Sequence, residues 1–151
     1  MGASTPSAGV ASGGTPGTSG SRSASGGERD AYTKAFNLTK DKRFQDAIDA
    51  FNQLIVDYPN GQYTPNAFYW LGELYLALPE PELEKSRQSF AQVVNLYPSH
   101  QKVPDSLYKL GVVYYRLGES DRAMSFLDRV QSDYPTSPAA RLAKSYAAEL
   151  R

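Results

Sequence analysis

The stretch LYKLGVVYYRLGESDRAMSFLDRVQSDYP, residues 107–135, decides the fold, because two apolar stripes of helical period stand on either side of one turn. Leu107, Leu110, Gly111 and Tyr114 recur at three- and four-residue steps before Gly118, and Ala123, Met124, Leu127 and Val130 do so after it. That is the period of an amphipathic helix. The stretch therefore reads as a helical hairpin closed by Tyr134-Pro135, with small residues at Gly111 and Ala123 where two backbones must approach closely.

The same layout recurs upstream. Phe68, Leu71, Gly72 and Tyr75 precede Ser86, Phe90 and Pro98, with a turn lengthened by two residues around Pro79 and Pro81. A first unit, weaker in its leading helix, begins near Glu28 and regains register at Ala47, Phe51 and Pro59; its second helix carries Phe44, Ala47, Ile48, Phe51, Leu54 and Ile55 at helical intervals. The Tyr-Pro pairs at Tyr58, Tyr97 and Tyr134 are 39 and 37 residues apart. A fixed period of that size means stacked helical hairpins. Pro65, Pro104 and Pro138 suit the first position of a helix, where their missing donor would be unpaired anyway, and Thr64 and Ser137 stand where N-caps belong. One further helix, Pro138 to Arg151, has no partner in the sequence; its stripe of Ala139, Leu142, Ala143, Tyr146, Ala147 and Leu150 reads as a cap on the open end of the stack, with a docking helix for a partner as the alternative.

The expected architecture is all-α: a tetratricopeptide-repeat solenoid of about three hairpins, over residues 28–61, 62–100 and 101–137, plus a capping helix at 138–151. Residues 1–27 hold eight glycines, seven serines, one charge (Arg22) and one aliphatic residue larger than alanine (Val10). Such a segment cannot offset its ordering entropy by burial and is expected to be a disordered linker.

Composition narrows the function. Residues 28–151 carry 15 basic and 16 acidic residues, which argues against a nucleic-acid partner. No apolar run approaches the ~20 residues of a membrane span, so no direct membrane insertion is expected. With no cysteine and a single histidine, His100, expected to be a solvated loop residue, the sequence offers no catalytic constellation, no metal site and no cofactor site. Glu80, Glu82 and Glu84 lack the ligand spacing of a calcium loop and read as a solvated turn. An enzyme is not expected.

One feature of the leading helices points to a binding surface. Tyr32, Tyr69 and Tyr108 occupy equivalent places, 37 and 39 residues apart. At ~100° per residue they lie on an arc turned about a third of a circle from the hairpin partner. That arc carries Tyr32 and Phe36 in the first unit, Asn66, Tyr69, Glu73 and Leu76 in the second, and Asp105, Tyr108, Val112, Tyr115 and Arg116 in the third. Leading helices line the inner curve of such solenoids, so these side chains are expected to form an aromatic partner-binding groove; the competing reading is that the tyrosines pack between repeats. Trp70, beside the core arc, is expected to pack repeat on repeat.

The segments YPNGQYTPNAFYWLGELYL (58–76) and YPSHQKVPDSLYKLGVVYY (97–115), above all PNAFYWLG (65–72), resemble the C-terminal repeats of the YbgF/CpoB family of Tol-Pal accessory proteins and cell division coordinators. The resemblance implies a periplasmic protein of Gram-negative bacteria. It implies binding to TolA, with peptidoglycan synthase complexes as further partners, and coordination of septal peptidoglycan synthesis with outer-membrane constriction. It also implies an N-terminal trimerising coiled coil joined by a flexible linker, so oligomerisation is expected from that element rather than from these repeats. Two alternatives stand beside it: a scaffold of outer-membrane protein assembly resembling BamD, and a module binding glycan strands.

Overall fold

The computed structural model describes residues 24–151; the greater part of the expected linker, residues 1–23, lies outside the described residues. Seven helices follow in order: α1 (Gly26–Lys40), α2 (Phe44–Asp57), α3 (Thr64–Ala77), α4 (Leu83–Leu96), α5 (Val103–Arg116), α6 (Ser120–Asp133) and α7 (Pro138–Leu150). Among the described residues there is no strand, and no helix is long and apolar enough to cross a membrane. Each helix packs on the next, and α7 also packs on α5. The result is three antiparallel hairpins and a cap.

The core arises from the stripes read in the sequence. Ala47, Ile48, Phe51 and Leu54 of α2 pack with Ala67, Leu71 and Leu74 of α3 in one cluster; Phe90, Val93, Leu107, Leu110, Leu127 and Val130, with Ala139, Ala143 and Ala147 of α7, belong to a second. Within the second and third hairpins the glycines act as expected. A Cβ on Gly72 would lie 2.6 Å from the Phe90 ring, and one on Gly111 would lie 2.5 Å from Leu127 Cδ2, both too close for real atoms. The Ser86 hydroxyl also donates to the Gly72 carbonyl, at 2.8 Å, across the second hairpin. The turns inside the first and third hairpins require a left-handed residue, supplied by Lys42 (φ 61°) and Gly118 (φ 86°). The N–H groups of Arg43 and Glu119 reach back to the carbonyls of Leu38 and Tyr114, the six-to-one bond that closes a helix C-terminus.

Four local expectations need correction. First, α1 starts at Gly26, before the expected boundary near Glu28: Ser25 accepts the Glu28 N–H at 3.0 Å as N-cap, and the buried Ala24 donates its N–H to Gln62 Oε1 at 2.7 Å. Glu28 is itself 3% exposed, its carboxylate accepting the Tyr63 N–H at 2.7 Å and lying against Gly61. Second, Thr64 does not cap α3. It is the first helical residue, and its buried hydroxyl donates to the Tyr58 carbonyl and accepts from Gly61 N–H, stitching the preceding turn. Ser137 does cap α7, through Ala140 N–H at 3.0 Å. Third, His100 is half-buried rather than solvated: its Nδ1 accepts the Lys102 N–H at 3.0 Å, and burial first, then the Lys102 charge, push its pKa down. Fourth, Leu142 is not on the buried stripe of α7, which consists of Ala139, Ala140, Ala143 and Ala147.

Candidate functional site: the face of the leading helices

The leading helices α1, α3 and α5, followed by α7, adjoin one another through side chains on the predicted arc, and the contacts differ along the row. Between α1 and α3 the joint is aromatic. Tyr32 lies parallel to Tyr63 with centroids 4.4 Å apart, stacks on Phe36 at 6.2 Å and accepts a hydrogen bond from Trp70 Nε1 at 3.0 Å. Phe36 meets Trp70 edge to face at 5.4 Å, and Lys40 Nζ stands 5.6 Å over Phe36. Trp70 thus ties the first repeat to the second. Burial lifts the Tyr32 pKa, and the hydrogen bond accepted from Trp70 partly opposes that rise.

Between α3 and α5 the joint is polar. The Tyr69 hydroxyl donates to Glu73 Oε2 at 2.7 Å, and Glu73 Oε1 pairs with Lys109 Nζ at 3.0 Å. Lys102, from the turn before α5, places its Nζ 4.6 Å over the Tyr69 ring and 5.8 Å from Trp70, and 3.9 Å from Asp105. Burial above all, then the Glu73 carboxylate, push the Tyr69 pKa far up. At 7% exposure, edge to face with Phe90 and Trp70, Tyr69 is a packed joint between repeats. Its expected place as an open groove residue is therefore corrected: a ring covered by Lys102 and Trp70 has little face left for a partner.

Between α5 and α7 the joint is aromatic again and more open. Tyr146 meets Tyr108 and Tyr115 edge to face, each at 6.2 Å. Tyr115 is 41% exposed, Arg116 is exposed, and Tyr108 and Val112 are half-buried. Asn66 and Asp105 are half-buried at the starts of α3 and α5, and Leu76 is half-buried against the second core cluster. Burial first, then the neighbouring Tyr108 and Tyr115, raise the Tyr146 pKa.

The row thus brings together Tyr32 and Phe36 at one end and Tyr108, Val112, Tyr115 and Arg116 at the other, with the Tyr69–Glu73–Lys109 chain between. It also recruits residues that the sequence reading left out. Tyr146 follows Tyr108 by 38 residues, the repeat period, and that spacing was the signal for it. Tyr63 and Lys102 come from turns, where the period carries no information. Among the described residues no three His, Cys, Asp or Glu side chains are grouped so as to hold a metal ion. The surface offers aromatic faces, hydroxyls and paired charges, which suit the capture of a polypeptide segment.

A tetratricopeptide-repeat family model matches residues 31–61, 66–100 and 105–137. Among curated relatives, the cell division coordinator CpoB of Pseudomonas putida is 54% identical over 46 residues, 30% of this chain and 17% of that protein. CpoB of Escherichia coli K12 is 42% identical over 71 residues, 46% of this chain and 25% of that protein. The match thus spans a quarter or less of each relative's length. Solved structures share the fold at low identity. PcrH in complex with the chaperone binding region of PopB superposes with TM-score 0.66 at 19% identity, over 83% of this chain and 94% of that one. The Yersinia enterocolitica type III secretion chaperone SycD with a peptide of the translocator YopD gives 0.68 at 19%, over 83% and 90%.

Proposed function

The chain belongs to the tetratricopeptide-repeat family, and from that premise we propose that its leading-helix face holds a segment of TolA in the periplasm. There it would help coordinate septal peptidoglycan synthesis with constriction of the outer membrane. A protein-interaction module resembling the cell division coordinators is the coarser statement, carried by the three matched repeats and the CpoB relatives. TolA, the Tol-Pal system and the compartment come from the family resemblance.

The observation that carries the reading is the open tyrosine cluster at α5, with Tyr115 41% exposed beside Tyr108 and Val112. A rigid aromatic with a polar tip is wet when free and contributes strongly when a partner excludes water. The fold neighbours are consistent in kind, since one holds the chaperone binding region of PopB and another a peptide of YopD.

Calorimetric titration with purified periplasmic TolA tests the reading. Replacing Tyr108 and Tyr115 by alanine together should weaken binding by about 2 kcal/mol or more, roughly thirtyfold, with the helical circular dichroism retained. Equal affinity in the double variant, or no binding by the parent chain, would remove the proposal.

A further inference from the structure

The charges along the leading-helix face are unequally matched. Helical position places Arg29, Phe36 and Lys40 of α1, Glu73 of α3, and Asp105, Val112 and Arg116 of α5 on the arc of the tyrosines. Two carboxylates of that arc are matched by lysines, Glu73 by Lys109 at 3.0 Å and Asp105 by Lys102 at 3.9 Å, and the third, the buried Glu28 of α1, is held by the Tyr63 N–H at 2.7 Å. Arg29, Lys40 and Arg116 enter no ion pair among the described residues, and all three are exposed. A domain with nearly balanced charge therefore turns three exposed, unmatched cations of α1 and α5, and no exposed unmatched carboxylate of α1, α3 or α5 on this arc, toward one face.

The cap departs from a purely protective role at the same end. Aligned by the 38-residue step from α5, Ser145, Ala148 and Glu149 stand where Leu107, Leu110 and Gly111 grip a second helix, so the side of α7 without a partner is mainly polar. Leu142 breaks that pattern: it is 53% exposed, one helical turn before Tyr146, whose ring meets Tyr108 and Tyr115. An exposed leucine one turn from a tyrosine that meets two others, with Arg116 near enough for its charge to act on Tyr146, is an apolar seat with a charged rim. Glu149, seven residues after Leu142 and so on its stripe, is exposed, acts on Tyr146 and enters no ion pair among the described residues; it sets one negative charge against Arg116 at this end, and the excess of cation on the face comes from Arg29 and Lys40 of α1.

We propose that α7 is part of the binding surface, and that Tyr108, Tyr115, Tyr146 and Leu142 seat an apolar side chain of an acidic polypeptide segment whose carboxylates face Arg116, Lys40 and Arg29. The proposal rests on reading the leading-helix face as the partner site; it adds the chemistry of the occupant. Charge matching of this kind acts on association and selectivity and weakens with salt.

The test uses the whole chain and does not depend on TolA, so the two readings can fail separately. Random dodecapeptides displayed on phage are selected against the immobilised protein, and the most enriched one is synthesised and titrated into the protein by calorimetry. Enriched peptides should combine Asp and Glu with Leu, Phe, Trp or Pro. Arg116→Glu should weaken the peptide by about tenfold at low salt, an effect that shrinks as salt rises. Leu142→Ser should weaken it severalfold with an unchanged thermal midpoint, whereas Val56→Ser, at a still more exposed apolar position on α2 (71%), should not. Enrichment of basic or uncharged peptides, no enrichment, or unchanged binding in the Arg116 and Leu142 variants would overturn the proposal.

Discussion

Replacing Tyr69 by alanine should act on the stability of the fold rather than on an open contact with a partner. The ring is 7% exposed, edge to face with Phe90 at 5.6 Å and Trp70 at 5.5 Å, and covered by Lys102 at 4.6 Å. Removing a buried aromatic of this kind costs about 3–5 kcal/mol. Within that figure the two edge contacts account for about 0.5–1.5 kcal/mol each and the lysine over the ring for about 0.5–1 kcal/mol. In a domain of this size the midpoint of thermal unfolding should fall by about 10–20 °C. Tyr69→Phe keeps the ring and deletes only the hydroxyl. Glu73 keeps its Lys109 partner at 3.0 Å, so the loss should be about 1 kcal/mol. Tyr115→Ala, at a ring 41% exposed, should cost less than about 1 kcal/mol. Thermal and urea unfolding followed by far-ultraviolet circular dichroism measure all three. A fall below about 5 °C for Tyr69→Ala, or equal falls for Tyr69 and Tyr115, would refute the assignment of Tyr69 to the repeat joint.

Lys42 holds a left-handed backbone at φ 61°, so Lys42→Gly should raise stability by about 1 kcal/mol, read as a higher urea midpoint. A chain beginning at Ala24 should be more stable than one beginning at Glu28 by about 1–2 kcal/mol, because the shorter one loses the Ser25 cap and the Ala24–Gln62 bond. The folded His100 has its pKa lowered below 6.5, so the unfolded chain takes up the proton first. The stability of the neutral imidazole is then complete above pH ~6.5 and is lost as pH falls through and below that value. His100→Gln should flatten this slope relative to the parent in urea titrations between pH 7 and 5.

The fold was legible because its determinants repeat. Gly72, Gly111, Ala123 and the Tyr-Pro pairs are local and periodic, and each reappears in the structure at the crossing or turn its chemistry requires. The start of α1 was also legible, since Ser25 and Glu28 stand three apart in the pattern of a capping box, but the glycine-rich composition around them masked it. The candidate surface was legible only as an arc. Helical period placed Tyr32, Tyr69 and Tyr108 on one side, yet their exposure is decided by neighbours the period does not describe: Lys102 and Tyr63 from turns, and Phe90 from another helix. Two of the three recurring tyrosines are therefore partly or wholly spent on packing, and the open end of the row is at Tyr115 and Tyr146. His100 was misread for a related reason, because its acceptor role depends on a loop geometry that no spacing rule specifies.

The central claim, that the leading-helix face holds the partner, is tested most directly by titrating purified periplasmic TolA into isotope-labelled protein and mapping the amide shifts. The account predicts shifts concentrated on α1, α3, α5 and α7, strongest around Tyr108, Val112, Tyr115 and Tyr146, with the outer turns of α2, α4 and α6 unmoved. Shifts confined to α2, α4 and α6, or none at saturating TolA, would contradict it.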